Sequence, residues 1–71
     1  MADCSNLVPG HTYHSYANEP IQGVYFDNTS ELKFIGKIQG RDTYVFQLNS
    51  GALHGRIFNF DSVEVMSLHL L

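Results

Sequence analysis

The sequence predicts an all-β fold, a small antiparallel meander of five or six strands curling into a barrel, and three observations carry that prediction. Between Leu32 and Leu48, residues Leu32, Phe34 and Ile38 alternate with Lys33, Ile35 and Lys37, while Tyr44, Phe46 and Leu48 alternate with Thr43, Val45 and Gln47. This is the two-residue period of strands, and Gln39 to Asp42 supply the turn between them. Turn residues recur at intervals of about ten, and loops that short join antiparallel neighbours because a parallel crossover needs a dozen residues or more. No segment carries a sustained i, i+3, i+4, i+7 apolar pattern capped at both ends, so no helix longer than about two turns is expected.

Taken in order, residues 1–6 have the small, polar composition of a frayed terminus, and a single domain is expected over residues 7–71. Val8, Pro9 and Gly10 make an extended lead-in, since Pro fixes its own φ and disfavours helix at the residue before it. A first strand follows from His11 to Tyr16. Ala17 to Pro20 break the pattern, and a second strand runs from Ile21 to Asp27, with Gly23 read as a bulge or a close approach. Asn28, Thr29 and Ser30 turn the chain into the central hairpin, which supplies two more strands. Asn49, Ser50 and Gly51 then lead to a fifth, from about His54 to Phe60. Val63, Val65 and Leu68 among Glu64, Met66 and Ser67 are read as a sixth strand, in preference to a short helix over Met66 to Leu71.

The parity of the hairpin makes a sharper claim. An even two-residue turn would put Tyr44, Phe46 and Leu48 on the face of Lys33 and Lys37 and waste one apolar stripe. An odd loop, Gly40-Arg41-Asp42, opposes Ile38 with Tyr44, Gly36 with Phe46 and Phe34 with Leu48, and a bulge at Gly36 would serve equally. The expected core face is therefore Leu32, Phe34, Ile38, Tyr44, Phe46 and Leu48.

The chain has 71 residues, 44% of them apolar and 15% charged, with a net charge of −3. That is a composition with something to bury, in a domain that hides only about 60% of its unfolded surface. Four Lys and Arg are too few to coat nucleic acid by phosphate neutralisation. One cysteine allows no internal disulfide, which points to the cytoplasm, and no run has the length of a membrane span or a secretory signal.

Chemistry finds little purchase. His11 and His14, three apart on a strand, point to opposite faces and do not converge with Cys4 or His54 on a metal. Cys4 or Ser5 with His11 would make a weak nucleophile in a frayed segment, and Asp27, Glu31, Asp42, Asp61 and Glu64 are explained as turn or surface carboxylates. No phosphate-binding glycine motif occurs. No catalytic residue, metal or cofactor is therefore expected.

The aromatics are more informative. Tyr13, Tyr16, Tyr25, Phe26, Phe58 and Phe60 include an adjacent pair, of which one member must point away from the core. Exposed rings build protein interfaces and base-stacking platforms. The candidate partner-binding residues are Tyr13, Tyr16 and Tyr25 with Lys33, Ile35 and Lys37, which share the outer hairpin face with Val45.

In strand number and spacing the chain resembles the SH3-like barrels, with Leu7 to Tyr13 as the lead into a first strand and Asn59 to Ser62 as a tight turn before the last. The expectation is a small non-enzymatic binding module, an adaptor, accessory subunit or inhibitor working through a protein partner, of a kind that suits a bacterium or phage. Self-association through an edge strand is a further expectation. The alternative is a barrel that binds RNA or single-stranded DNA, also as an oligomer, with Lys37, His54 and Arg56 as a modest basic rim.

Overall fold

The computed structural model describes residues 2–71. Six strands form, β1 Thr12–His14, β2 Glu19–Ile21, β3 Val24–Phe26, β4 Glu31–Lys37, β5 Tyr44–Leu48 and β6 Ile57–Phe60, followed by one helix, α1 Ser62–Leu68. All strand pairing is antiparallel. The expected barrel does not close. Four strands make one sheet in the order β1-β4-β5-β6, and β2 and β3 make a separate hairpin.

The central hairpin puts Leu32, Phe34, Tyr44, Phe46 and Leu48 in the core, as the alternation predicts. It does so by the bulge. Leu32 opposes Leu48 and Phe34 opposes Phe46, the register shifts between Phe34 and Gly36, and pairing resumes with Gly36 opposite Val45 and Lys37 opposite Tyr44. Ile35 is the extra residue. The odd loop is not used, and two assignments change with it. Ile38 lies beyond the paired strand, its N–H donating to the Thr43 carbonyl at 2.9 Å, and its side chain is 41% exposed instead of buried. Lys37 moves to the face of Tyr44.

The run from Ile21 to Asp27 is a tight hairpin and not one strand. Gln22 and Gly23 both have positive φ, 54° and 76°, the backbone of a type I′ turn, so Gly23 serves the turn instead of a bulge. Pro20 sits in β2, where the absence of a sheet neighbour on its other side removes any need for its N–H. Gly55, with φ 90°, does mark a bulge: Gly55 N–H donates to the Leu48 carbonyl and Leu48 N–H to the Arg56 carbonyl at 2.9 Å. The strand consequently begins at Ile57 and not His54.

The predicted sixth strand is α1. Asp61 accepts the Glu64 N–H at 2.8 Å while the Glu64 carboxylate accepts the Asp61 N–H at 3.0 Å, a reciprocal capping box. Val65 and Leu68, three apart, then bury one helical face, and His69 ends the helix at a φ of 49°. Periodicity in so short a run fits both structures, and the cap decides.

One face of the four-stranded sheet is covered by the β2–β3 hairpin, α1 and Leu70, in a single apolar cluster. All five phenylalanines lie in it: Phe26 meets Phe58 and Phe60 edge-on at 5.4 and 5.9 Å, and Phe46 meets Phe34 and Phe60 at 5.1 and 5.7 Å. Residues 2–6, read as frayed, are held in place. Ala2 N–H donates to the Leu70 carbonyl at 2.8 Å, and Ala2, Cys4 and Leu7 pack against the core. Leu71 in turn exchanges backbone hydrogen bonds with His14, at 2.9 and 3.0 Å, covering the free side of β1.

Candidate functional site

Among the described residues no element covers the opposite face of the sheet, where Thr12, Ile35, Ile57 and Asn59 are exposed. Its rows follow from the register: Thr12, Lys33, Gln47 and Ile57 lie side by side, and Gly36, Val45 and Asn59 form the next row, with bulged Ile35 beside them. Ile35 and Ile57 are 45% and 53% exposed and Val45 is half-buried. Together they make an apolar diagonal across the open face, ending on β6.

The six residues singled out as partner-binding do not form one site. Tyr13 is 9% exposed, and its hydroxyl oxygen accepts the Val8 N–H at 2.9 Å, so it is a core side chain and not a surface anchor. Lys33 and Ile35 belong to the open face. Lys37 does not, because the bulge turns it to the other face, where its ammonium stands 5.8 Å from the centre of the Tyr44 ring. Tyr16 and Tyr25 are 51% and 55% exposed at another part of the molecule. The Tyr25 hydroxyl donates to the Asn18 Oδ1 at 2.6 Å, and Tyr16, Asn18, Asp27 and Asn28 line a hollow of about 260 Å³ between them.

A larger hollow of about 310 Å³ lies on the other side of Asp27, bounded by Tyr25, Ser30, Ser50 and Leu53. Asp27 is already engaged there. Its carboxylate accepts from the Thr29 hydroxyl at 2.6 Å and the Thr29 N–H at 2.9 Å, and these bonds hold it below the ordinary carboxylate value. Both fix the Asp27–Ser30 turn, which explains this carboxylate without catalysis. Cys4 is half-buried beside Ser62 and Tyr44, and burial pushes its thiol above the ordinary value, with Asp42 and Asp3 adding to the rise. A thiol held protonated is a poor nucleophile. Among the described residues no group of three or more His, Cys, Asp or Glu is placed to hold a metal, and no helix is long and apolar enough to cross a membrane.

Val45 lies on the predicted outer hairpin face, whereas Gln47 and Ile57 extend that face beyond the prediction, although the signal for Ile57 is present in the sequence. The pairing of Phe58 and Phe60 on one face puts Ile57 and Asn59 on the other. The second missed feature is the edge of β6. Leu48 bonds to Arg56, so the antiparallel alternation gives Phe58 and Phe60 the ladder bonds to β5 and turns the N–H and C=O of Ile57 and Asn59 away from the sheet. The Gln22 side chain marks that direction, donating to the Asn59 carbonyl at 2.8 Å.

Comparison with known proteins adds no assignment: no protein-family model, no curated protein and no solved structure matches the chain.

Proposed function

We propose that the chain is a small non-enzymatic binding module, an adaptor, accessory subunit or inhibitor, acting through protein–protein contacts. The observation that carries this reading is the open sheet face, whose Ile35–Val45–Ile57 diagonal runs to a strand edge whose outward backbone groups pair with no strand. Such an edge takes an extended segment of another polypeptide, which gains main-chain hydrogen bonds from β6 while alternate side chains rest on the apolar diagonal. Lys33, in the same cross-strand row as Gln47 and Ile57 on that face, supplies a cation for an acidic residue of the partner. The lone, half-buried Cys4 suits a reducing compartment such as the cytoplasm. The likeness to SH3-like barrels belongs to this reading on strand number and spacing alone.

Exposed Tyr16 and Tyr25 favour a second reading, stacking of RNA or single-stranded DNA bases. Asp27, Asn18 and Asn28 between them offer a carboxylate where a phosphate backbone needs cations, which ranks it second. Tyrosine fluorescence unchanged by any oligonucleotide at low salt would dispose of it.

The leading reading is tested by selecting a random linear-peptide display library on the chain and mapping the binders by amide chemical shifts. Binders that perturb Ile35, Ile57 and Asn59, and that fail on Asn59→Pro, are expected. Proline there removes an N–H that faces away from β5, so the fold should tolerate it. Binders that map elsewhere, or none at all, would overturn the reading.

A further inference from the structure

We propose that the strand which adds to β6 is the β6 of a second copy of this chain, paired antiparallel about a two-fold axis at Phe58, so that two four-stranded sheets become one continuous sheet. This names the occupant of the docking surface proposed above and rests on that reading.

The backbone of β6 is self-complementary in one register. With the axis at Phe58, Ile57 of each copy faces Asn59 of the other, and the N–H and C=O of both residues find partners on both strands. A slide of two residues in either direction leaves the carbonyl of Asn59 or of Ile57 without a donor from the other copy. It pairs Ile57 or Asn59 with its own copy and sets the other against Gly55 or Asp61, whose N–H groups are already given to the Leu48 carbonyl and the Glu64 carboxylate.

Charge agrees with the same register. β6 is preceded by Arg56 and followed by Asp61, with Glu64 one helical turn further on. Antiparallel pairing about Phe58 sets Arg56 of each copy beside the end of β6 that carries Asp61 and Glu64 of the other, twice per dimer. Within Ile57–Phe60 the edge carries no proline, lysine or bulge, and among the described residues a single side chain, Gln22, lies on it, whereas the backbone of Leu71 pairs with the free side of β1. On the open face the pairing brings the exposed Ile57 of one copy diagonally against that of the other, extending the apolar stripe of each sheet across the junction.

Gln22 acts as the cover of this edge. Its Nε2 occupies the place of a neighbouring strand's N–H on the Asn59 carbonyl, and it must swing aside when a strand arrives. Gln22→Asn keeps a residue suited to the positive φ of the turn but is too short to reach the carbonyl, so it should strengthen association.

The test is sedimentation equilibrium of the purified chain over a wide concentration range at low and high salt, with amide hydrogen exchange on the same samples. A monomer–dimer equilibrium of the 8.0 kDa chain, weakened by salt, is expected. The Ile57 and Asn59 amides should gain protection as the dimer forms while Phe58 is protected throughout. Asn59→Pro and Arg56→Glu should each weaken association on the order of tenfold, and Gln22→Asn should tighten it. Ile57→Lys, at an exposed position, gives the same reading should Asn59→Pro fail to fold. A chain that stays monomeric, or a dimer in which Ile57 and Asn59 exchange as in the monomer, overturns the proposal. A monomer that still takes a library peptide at β6 rejects the second copy and keeps the docking surface, and a β6 that accepts neither rejects both.

Discussion

The Phe34 ring stands opposite Phe46, centroids 5.1 Å apart, because Ile35 is looped out of the ladder immediately after it. Removing Ile35 would therefore leave the pairs Leu32–Leu48, Phe34–Phe46, Gly36–Val45 and Lys37–Tyr44 intact and merely regularise the strand. The deletion should fold cooperatively, within about 1–2 kcal/mol of the parent in urea unfolding. Deleting Lys33 instead forces Leu32 or Phe34 out of the core, each worth roughly 1.5–3 kcal/mol of burial, and should abolish the transition in a domain this small. Equal behaviour of the two deletions would show that the bulge does not set the register.

Tyr13 should behave as a core residue. Tyr13→Phe deletes the acceptor for the Val8 N–H and is expected to cost about 1 kcal/mol, while Tyr13→Ala should cost about 3–5 kcal/mol. Neither change should alter peptide selection by chains that remain folded. A Tyr13→Phe variant with parental stability and lost binding would restore Tyr13 as a surface anchor.

The capping box can be measured directly. Asp61→Ala removes the acceptor for the Glu64 N–H and should lower stability by about 1 kcal/mol, while Asp61→Asn, which can still accept that bond, should retain most of it. A neutral Asp61→Ala would mean that tertiary packing of Val65 and Leu68 alone holds α1.

Cys4 makes stability fall on the alkaline side. Its folded pKa is raised above the ordinary thiol value of 9.0, chiefly by burial, so between those two values the unfolded chain binds fewer protons than the folded one. Stability is then unaffected below the ordinary value and declines as pH rises through it. Urea midpoints recorded across that range should fall for the parent and fall less for Cys4→Ser, and the thiol should react slowly with a soluble disulfide at neutral pH. Identical alkaline profiles for the two chains would remove Cys4 as the cause.

The alternation of Leu32 to Leu48 by itself determined the antiparallel strand class, the burial of Phe34 and Phe46 and the need for either an odd loop or a bulge at Gly36, because those depend on near neighbours and on which face is wet; only the structure shows that the bulge is the one used. The same local logic carried Tyr25 outward and Phe26 inward. It failed at Val63 to Leu68, where a short apolar alternation suits strand and helix alike, and where the Asp61–Glu64 box was the overlooked local signal. What the tertiary structure decided was the fate of the edges. The sequence could not say that Leu71 returns to His14 and closes β1, that Gln22 reaches Asn59, or that Ile57 lies on a sheet face that no described residue covers. Each of these joins segments far apart in the chain, and pairing at that range is settled by the packing of the whole core, not by the residues on either side.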